Sequence, residues 1–570
     1  MRPLSAPFTL LLAALLAEKV TCAFQQTPTL GFNTYNAASC TVNDSYVTDT
    51  INAFADQGFV AKGYSLFQID CGWQRRDRSR DATTGAINVN NDAFPNGIKS
   101  LTDLATSRGL TFGLYSDAGL LACDPTVPSP VLGSLGHEAA DAKQFADWNV
   151  KTVKYDNCYA DSTDASSAAP KAARTDFVTR YRPMTDALRE NGIEGELVCQ
   201  WGVPFSDNGV LKGPIDWTRD LATSFRLSDD ISDSWDSIYR IYNQAIYIAE
   251  QDKTGPGFHA DADLLEVGNA GLSLAEQQFH FAYWAMAKSA LMVSTDIIRS
   301  SDQTRAILQN EGLIAINQDS LGKPIKLVQR WTDDRDLHVG PLANGDVAVL
   351  AFNAQSGRQT LNIDFASLNI TQADVVDLYS GATRSAAASY GADVDAHGVI
   401  ALRLSNVIGA APTNPAVTWM EAENAAREGT VAVAPCSGCS GGEKVGDISG
   451  YGNNLIFNNV EASQSSVTVL FDYVNCEIGY LGNGLNERKA RIAVNGGDPQ
   501  DVNFPITGYN WDGDVGHNFR VQLSGFNVGS SNSIQISSPA MLLTLIALEL
   551  SPSVIAFRAH LTCCRTSVRT

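Results

Sequence analysis

The sequence predicts an α/β protein, a (β/α)8 TIM barrel followed by a small antiparallel β domain and a C-terminal β-sandwich. In residues 27–300 short apolar runs alternate with helix-like stretches, the pattern of a parallel sheet with crossover helices. About 290 residues is close to the usual size of an eight-fold barrel. From residue 321 onward, short strand-like runs are separated by turns. A doubly wound sheet stays open as an alternative on periodicity alone.

The barrel is predicted over residues 24–320. The apolar runs that we interpret as strands are Ser65–Ile69, Leu110–Tyr115, Thr152–Tyr155, Glu196–Trp201 and Ala290–Ser294. Apolar residues recur at helical spacing in Tyr46–Gln57, Asp141–Asp147 and Thr175–Asn191.

Two β units follow the barrel. Residues 321–405 are predicted to form the small domain, with strands at Lys326–Arg330, Asp336–Val339, Val347–Asn353, Gln359–Ile363 and Val399–Leu404. Residues 406–416 (NVIGAAPTNPA) are predicted to be a linker short enough to tether the next unit. Residues 417–552 are predicted to form the β-sandwich, here called the C-terminal module, and 553–570 a tail.

Composition and the N-terminus indicate a secreted protein. Residues 1–23 have an early arginine, an apolar run at Phe8–Ala17 and small residues at 21–23, which is typical of a signal peptide. That run is too short to span a bilayer. The formal net charge of −21 argues against nucleic acid and anionic membranes as partners, since polyanions are bound by neutralising their charge.

Secretion makes disulfides and glycans the expected covalent features. Most of the 11 cysteines should pair in an oxidising compartment. For Cys436 and Cys439 we favour a disulfide-linked loop over zinc, because no second pair of metal-ligand spacing accompanies them. Asn43 and Asn369 begin glycan acceptor tripeptides.

Carboxylates recur where the apolar runs end. In a β/α barrel the carboxyl ends of the strands converge at one mouth, so these side chains should share a pocket. They are Asp70, Asp117, Asp156, Asp230 and Asp263. The aromatics Phe32, Tyr115 and Trp201 would supply apolar faces beside them, and acids with rings suit sugar binding.

A glycosidase needs one ionised carboxylate and one protonated acid. Lys154 lies two residues from Asp156, on the same face of the strand, and would keep Asp156 ionised. Asp230 would be the acid, its pKa raised by Asp156 and limited by Arg226. We expect Asp229, Asp233 and Asp236 to be solvated or capping residues.

Residues 27–405 resemble the secreted eukaryotic α-galactosidases of glycoside hydrolase family 27, particularly the fungal enzymes. The strings that carry the resemblance are LGFNTYN (30–36), QIDCGW (68–73), GLYSDAG (113–119), KYDNC (154–158), CQWG (199–202), RLSDD (226–230) and DADLLEVG (261–268). The resemblance implies retaining hydrolysis of terminal α-galactose, with Asp156 as nucleophile and Asp230 as acid/base.

The same resemblance implies the substrate-binding residues and two disulfides. The galactose-binding positions are Asp70, Tyr115, Lys154, Cys199, Trp201, Arg226 and Asp263. The disulfides would be Cys40–Cys71 and Cys123–Cys158, leaving Cys199 a free thiol in the pocket. Catalysis would need no cofactor, and the partners would be α-galactoside oligosaccharides or polysaccharides such as galactomannan.

Departures from the family pattern surround the expected pocket and leave alternatives open. Phe32, Gln200 and Leu264 stand where many members have tryptophan, glutamate and methionine. An α-N-acetylgalactosaminidase, a β-L-arabinopyranosidase and a non-catalytic carbohydrate-binding protein therefore remain alternatives.

The C-terminal module resembles carbohydrate-binding modules of family 35 or 6. The resemblance is carried by EAEN (421–424), KVGD (444–447) and VNGG (494–497). It implies a structural calcium ion held by Glu421 and Glu423, although the acidic last strand that completes such a site is not recognisable after Pro539.

Overall fold

The computed structural model describes residues 26–169, 176–409, 418–478 and 484–538, and the backbones of two further strands, 544–550 and 554–560. The predicted signal peptide, residues 1–23, and most of the predicted linker therefore lie outside the described residues. No described helix is long and apolar enough to cross a bilayer.

Eight parallel strands form the barrel. The strands are β1 (Leu30–Asn33), β2 (Leu66–Ile69), β3 (Thr111–Asp117), β4 (Thr152–Asp156), β5 (Gly195–Val198), β8 (Ser224–Arg226), β9 (His259–Asp261) and β10 (Leu291–Val293); β6 (Phe205–Asp207) and β7 (Val210–Lys212) form a hairpin between β5 and β8. The eight parallel strands pair side by side in the order β10, β1, β2, β3, β4, β5, β8 and β9. Pairing of β1 with β10 and a parallel bridge between Leu265 and Val293 join the two ends of the sheet. The chain is therefore a barrel, not a doubly wound sheet.

Helices connect the barrel strands, and two further helices follow the last strand in the sequence. They are α1 (Tyr35–Ala38), α2 (Asp44–Asp56), α3 (Gly97–Ser107), α4 (Glu138–Asp147), α5 (Phe177–Glu190), α6 (Pro214–Trp217), α7 (Trp235–Glu250), α8 (Leu274–Met286), α9 (Asp302–Leu308) and α10 (Glu311–Asn317). Helix α2 begins where the Asn43 side chain accepts from the backbone N–H of Tyr46, and it buries Val47, Ile51 and Phe54.

Phe32, expected at the barrel mouth, lies in the core instead. Its ring stacks on Phe67 at 5.2 Å and meets Phe54 edge-on at 5.7 Å, and it has no exposed surface. Its strand is buried on both faces. An aromatic residue in such a strand packs against helix α2 without reaching the cavity.

The small domain is an antiparallel sheet with a separate two-stranded ribbon. Its strands are β11 (Lys326–Trp331), β12 (Arg335–Pro341), β13 (Val347–Asn353), β14 (Gln359–Asp364), β15 (Ile370–Asp377), β16 (Thr383–Ala387), β17 (Ser389–Val394) and β18 (Val399–Gly409). Strand β18 continues to Gly409 because it pairs with β15, so the first four residues of the predicted linker belong to the sheet.

The C-terminal module is a β-sandwich that contains part of the predicted tail. Its strands are β19 (Thr418–Glu421), β20 (Ala426–Glu428), β21 (Ala432–Pro435), β22 (Glu443–Gly446), β23 (Asn454–Ala462), β24 (Ser466–Val474), β25 (Glu487–Val494), β26 (Gln500–Pro505), β27 (Gly516–Ser524), β28 (Gly529–Ser537), β29 (Thr544–Leu550) and β30 (Val554–His560). The tail was predicted from residue 553, but β30 pairs with β19, β24 and β29.

The module packs directly on the rest of the chain. Strand β27 pairs in parallel with β11 of the small domain, at Arg330–Val521 and Trp331–Gln522, so one sheet runs through both. Ile478, Ile506 and Tyr509 of the module join the hydrophobic core that fills the barrel. The module is thus held by packing as well as by the short linker.

Candidate active site

A cavity of about 220 Å³ opens at the C-terminal ends of the barrel strands. Seven sequence-predicted residues line it: Asp70, Lys154, Asp156, Trp201, Arg226, Asp230 and Asp263. Strand register brings them together, since the ends of β3 and β4 lie side by side at Asp117 and Asp156. Distant carboxylates therefore meet at one mouth, as the sequence predicts.

Asp156 ends strand β4, with one carboxylate oxygen fixed and the other directed at a cation. Its Oδ1 accepts from Trp201 Nε1 at 2.8 Å and from the backbone N–H of Asn157 at 2.9 Å. Its Oδ2 lies 3.8 Å from Lys154 Nζ, beyond hydrogen-bond distance. The carboxylate is thus oriented through Oδ1, and Oδ2 is left for a reacting atom.

Lys154 bridges two carboxylates at the base of the cavity. Its Nζ donates to Asp70 Oδ2 at 2.9 Å, and the same oxygen accepts from Asn33 Nδ2 at 2.9 Å. Burial lowers the pKa of the Lys154 ammonium, but Asp70 and Asp156 hold it well above its ordinary value. Lys154 therefore stays charged in the cavity.

Arg226 forms ion pairs with Asp230 and Asp263, which also line the cavity. Its Nη2 lies 2.9 Å from Asp230 Oδ1 and 2.7 Å from Asp263 Oδ2. Asp263 also accepts from the backbone N–H groups of Ile231 and Leu264, both at 2.8 Å. Asp263 is held at several points, whereas 48% of the Asp230 side chain is accessible and faces the cavity.

The two proposed catalytic acids have raised pKa values for related reasons. Desolvation raises the pKa of Asp156, whereas Lys154 and the Trp201 hydrogen bond lower it. The net pKa is raised, so the effect of burial is larger than the effect of Lys154, on which the sequence prediction relied. Desolvation raises the pKa of Asp230 to about 6; Arg226 opposes this, and Asp263 and Asp156 add to it. The predicted effects of Asp156 and Arg226 have the expected signs, but burial is the largest cause.

Tyr115 and Cys199, predicted to contact the sugar, lie beneath the cavity wall. The Tyr115 hydroxyl accepts from the backbone N–H of Cys123 at 2.7 Å and donates to Asp117 at 3.2 Å. Cys199 is fully buried, and Arg226 Nη1 approaches its sulfur at 3.4 Å. The polar atoms of both side chains contact neighbouring residues, so both side chains support the residues that line the cavity. The Cys199 thiol is free but not open to the pocket.

Several cavity residues were not singled out from the sequence. Tyr35 and Asn36, on α1 directly after β1, line the cavity together with Tyr159. Asn36 Nδ2 donates to Glu266 at 2.5 Å. The signal for Tyr35 and Asn36 was present in the LGFNTYN string, since polar residues there follow a strand that ends at the barrel mouth.

Disulfides anchor the loops around the cavity. The structure contains the bonds Cys40–Cys71 and Cys123–Cys158 implied by the resemblance, and also Cys436–Cys439 in the module. Among the described residues, the single cluster with metal-ligand spacing is Asp117, Cys123 and Cys158, two of which are joined in a disulfide.

Asp229, expected to be solvated or capping, is buried and paired. Arg240 Nη2 on α7 lies 2.6 Å from Asp229 Oδ2, and Arg240 Nε donates to Asp229 Oδ1 at 3.2 Å. This ion pair ties the residue next to Asp230 to helix α7.

The remaining predicted sites lie outside the cavity. Asn43 and Asn369 are both exposed. Asn43 caps α2, and Asn369 (φ 57°) lines a crevice of about 640 Å³ where helix α7, the small domain and the C-terminal module meet. Glu421 accepts from Ser440 Oγ at 2.8 Å. Burial raises the pKa of Glu423, whose Oε2 has no hydrogen-bond partner among the described residues.

Comparison with known proteins identifies the family. The family model "Alpha galactosidase A" matches residues 31–319, and "Alpha galactosidase C-terminal beta sandwich domain" matches residues 332–404. A probable alpha-galactosidase D of Aspergillus niger is 37% identical over 67% of this chain and 56% of its own length. The alpha-galactosidase of Cyamopsis tetragonoloba is 35% identical over 65% of this chain and 84% of its own length.

A solved structure agrees with these matches. Alpha-galactosidase I of Mortierella vinacea is 28% identical with a TM-score of 0.60, covering 68% of this chain and 99% of that one. The chain spans only 56% of the Aspergillus niger relative's length, so it does not stand for the whole of that protein. The barrel, the small β domain and the two family matches in chain order show that this chain belongs to the α-galactosidase family.

Proposed function

We propose that this protein is a secreted retaining α-galactosidase that removes terminal non-reducing α-D-galactose from oligosaccharides and galactomannan. One observation carries the proposal. Asp156 and Asp230 line the same cavity in different settings: Asp156 is fixed by Trp201 and faced by Lys154, whereas Asp230 is accessible and has a pKa of about 6. A double displacement requires this pairing of a nucleophile and a proton donor.

In the first step, Asp156 Oδ2 attacks the anomeric carbon while Asp230 gives its proton to the leaving-group oxygen. The glycosidic C–O bond breaks, and a galactosyl-aspartate forms. The hydrogen bonds at Oδ1 hold the carboxylate so that Oδ2 attacks. Lys154, Asp70 and Asp263 would bind sugar hydroxyls.

In the second step, Asp230, now ionised, takes a proton from water while the water oxygen attacks the anomeric carbon. The bond to Asp156 breaks and its carboxylate is restored. Two inversions give net retention of configuration. The pKa of Asp230 lets it act as acid and then as base near pH 6.

Hydrolysis of a chromogenic α-galactoside tests the enzyme against the non-catalytic alternative. Turnover by the full chain, lost in Asp156→Asn, supports the enzyme. Turnover no greater than that of the Asp156→Asn control supports a carbohydrate-binding protein. Preferential turnover of an α-N-acetylgalactosaminide or a β-L-arabinopyranoside would assign another sugar to the same cavity.

The C-terminal module is proposed to bind carbohydrate. An open concavity of about 530 Å³ lies on its five-stranded sheet, lined by Tyr451, Asn454, Arg491 and Gln535 among others. The Tyr451 ring is fully exposed, and such a ring beside polar side chains suits a sugar face and its hydroxyls. Tyr451→Ala should reduce retention of the full chain on galactomannan but leave turnover of a small chromogenic substrate unchanged.

Secretion and glycosylation are part of the same proposal. The predicted signal peptide, the disulfides and the exposed sequon asparagines support it. Intact-mass measurement of protein secreted from a eukaryotic host should show a glycan lost in Asn43→Gln and another lost in Asn369→Gln. An unchanged mass in either variant would remove that site from the proposal.

A calcium ion in the module is proposed at Glu421 and Glu423. The donors are hard oxygens, and the buried, unpartnered Glu423 Oε2 fits a cation that would offset its repulsion by Glu421 and Glu443. Calcium should raise the melting temperature of the full chain, and Glu423→Gln should abolish the effect. A melting temperature that is the same in calcium and in chelator would remove this site.

A further inference from the structure

We propose that the C-terminal module is part of the catalytic unit, with Asn510 and Asn486 as positioning residues for the loops that carry Trp201 and Asp230. The effect on turnover rests on the proposed α-galactosidase function, but the mechanical coupling does not. The two family models match residues 31–319 and 332–404, so Asn510 and Asn486 lie outside the matched regions, whereas their barrel partners lie inside the first.

The first contact is an amide clamp on the hairpin β6–β7. Asn510 Oδ1 accepts from the backbone N–H of Leu211 at 2.8 Å, and Asn510 Nδ2 donates to its carbonyl at 2.8 Å. Asp514 fixes the clamp, since its Oδ2 accepts from the backbone N–H groups of Tyr509 and Asn510 at 2.7 and 2.8 Å. The clamp therefore joins a preformed loop of the module to a hairpin of the barrel.

The residue that follows the hairpin also packs against the module. Gly213 follows β7, and a Cβ added there would lie 2.1 Å from Tyr509 Cε2, so the ring of Tyr509 packs against bare backbone. The hairpin is thus held at Leu211 and at Gly213, by two neighbouring residues of the module.

The hairpin continues directly from the loop that presents Trp201. Gln200 closes that loop by accepting from the Val203 N–H at 2.7 Å and donating to the Val203 carbonyl at 2.9 Å. Trp201 has a φ of 62°, a left-handed conformation that is strained for a residue with a side chain and persists only when surrounding contacts impose it. Contacts that fix the hairpin therefore help to maintain the hydrogen bond from Trp201 to Asp156.

The second contact reaches both site loops through helix α7. Asn486 Nδ2 donates to the carbonyl of Arg240 at 2.8 Å and approaches Gln244 Oε1 at 3.2 Å. Arg240 holds Asp229, next to Asp230. A Cβ on Gly202 would lie 2.9 Å from Gln244 Nε2, so Gln244 packs directly under the Trp201 loop.

The interface is polar and specific elsewhere too. The Tyr239 hydroxyl on α7 donates to Glu487 at 3.0 Å, and Asn243 Nδ2 donates to the carbonyl of Leu485 at 3.0 Å. Bonds with such defined geometry fix the angle between module and barrel, which non-directional apolar packing alone would leave free.

Asn510→Ala and Asn486→Ala in the full chain test the inference. In Asn510→Ala, kcat for a chromogenic α-galactoside should fall roughly tenfold, because small displacements of positioned groups are costly. KM should change less. The acidic limb of the pH profile should move to higher pH, because the Trp201 hydrogen bond lowers the pKa of Asp156. Asn486→Ala should reduce kcat in the same direction.

Gln522→Ala is the matched control. Gln522 Oε1 accepts from Gln329 Nε2 at 3.3 Å where the module meets the small domain, and its other side-chain hydrogen bonds among the described residues go to Thr468 and Ser466, away from both site loops. Its kcat and pH profile should match those of the wild type. If Asn510→Ala and Asn486→Ala behave like Gln522→Ala, or if all three lose activity equally, the inference is wrong.

Hydrogen exchange separates this inference from the proposed function, since it needs no turnover. Amides of residues 201–213 should exchange at least about tenfold faster in Asn510→Ala than in the wild type or Gln522→Ala. Unchanged exchange there would overturn the coupling even in an active enzyme. An inactive wild type with faster exchange in the variant would overturn the proposed activity alone.

Discussion

In the part of the chain that the structure describes, buried charges cluster at the barrel mouth and also where the barrel meets the β domains. At the junction Arg330 makes a two-bond pair with Asp336, at 2.7 and 2.6 Å, with both side chains almost fully buried. Tyr242 donates to the same carboxylate and meets His338 Nε2 at 2.8 Å. Arg330 overcomes the cost of burial and holds the pKa of Asp336 below its ordinary value.

At the mouth Asp156 is nearly as buried as Asp336, whereas Asp230 is partly accessible, and both are incompletely paired. Asp156 Oδ2 has its nearest cation at 3.8 Å, and Asp230 opens to the cavity. Their pKa values are raised, whereas that of Asp336 is lowered. Burial of charge therefore does not by itself indicate chemistry; an unsatisfied oxygen facing a cavity does.

The largest expected effect is at the mouth. Asp156→Asn should lower kcat/KM by roughly 10⁴-fold or more, since it removes the nucleophile. It should not lower the free energy of unfolding, because the side chain loses a desolvated charge and its Oδ1 can still accept from Trp201. Steady-state kinetics and urea denaturation measure both. A variant that loses stability and activity together would make Asp156 a structural residue like Asp336.

At the junction we expect the reverse. Asp336→Ala should cost about 3–5 kcal/mol of unfolding free energy, because Arg330 is left buried and unpaired. The kcat/KM of the folded fraction should stay within about twofold of the wild type. Asp393→Ala, which removes an exposed partner of Arg358, is the control and should cost about 0–1 kcal/mol. Urea denaturation followed by activity assays decides the matter, and a stable but inactive Asp336→Ala would contradict the distinction.

Asp230→Ala should separate substrates by leaving group. Hydrolysis of an oligosaccharide should fall by roughly 10²–10⁴-fold, because an alkoxide needs a proton to leave. An activated aryl α-galactoside should show a much smaller loss in the galactosylation step. Pre-steady-state kinetics on both substrates measures this. Equal losses would mean that Asp230 is not the proton donor.

The two clusters should contribute to folding stability with opposite dependences on pH. Asp230 binds its proton more tightly when folded, so its contribution to stability falls as pH rises from about 4 to about 6. Asp336 binds its proton less tightly when folded, so its contribution is lost as pH falls below about 4. Melting temperature against pH should show a smaller decline above pH 4 in Asp230→Asn. An unchanged slope would contradict the raised pKa.

The pH dependence of kcat/KM should also report the protonation of Asp230. Because Asp230 must carry a proton in the first step, kcat/KM should decline above about pH 6. The decline should be absent for the activated substrate in Asp230→Ala.

The sequence predicts the mouth better than the packing behind it. Parallel strands that end in Asp70, Asp156 and Arg226 must converge in a barrel, so pattern and topology suffice for those residues. Tyr115 and Phe32 show the limit, because a motif does not reveal whether an aromatic ring faces the cavity or the layer beneath it.

Contacts between domains were beyond the sequence. Asn510 and Leu211 are 299 positions apart, and nothing in either local pattern indicates that they meet. The same holds for β30, two of whose strand partners, β19 and β24, lie far back along the chain. Tertiary pairing decides such features, and periodicity records only local structure.

The anomeric configuration of the first galactose released tests the central claim most directly. Proton NMR during early hydrolysis of an α-galactoside should show the α-anomer appearing first, with the β-anomer growing only by mutarotation. Initial appearance of the β-anomer would show a single displacement, and Asp156 could not then be the nucleophile.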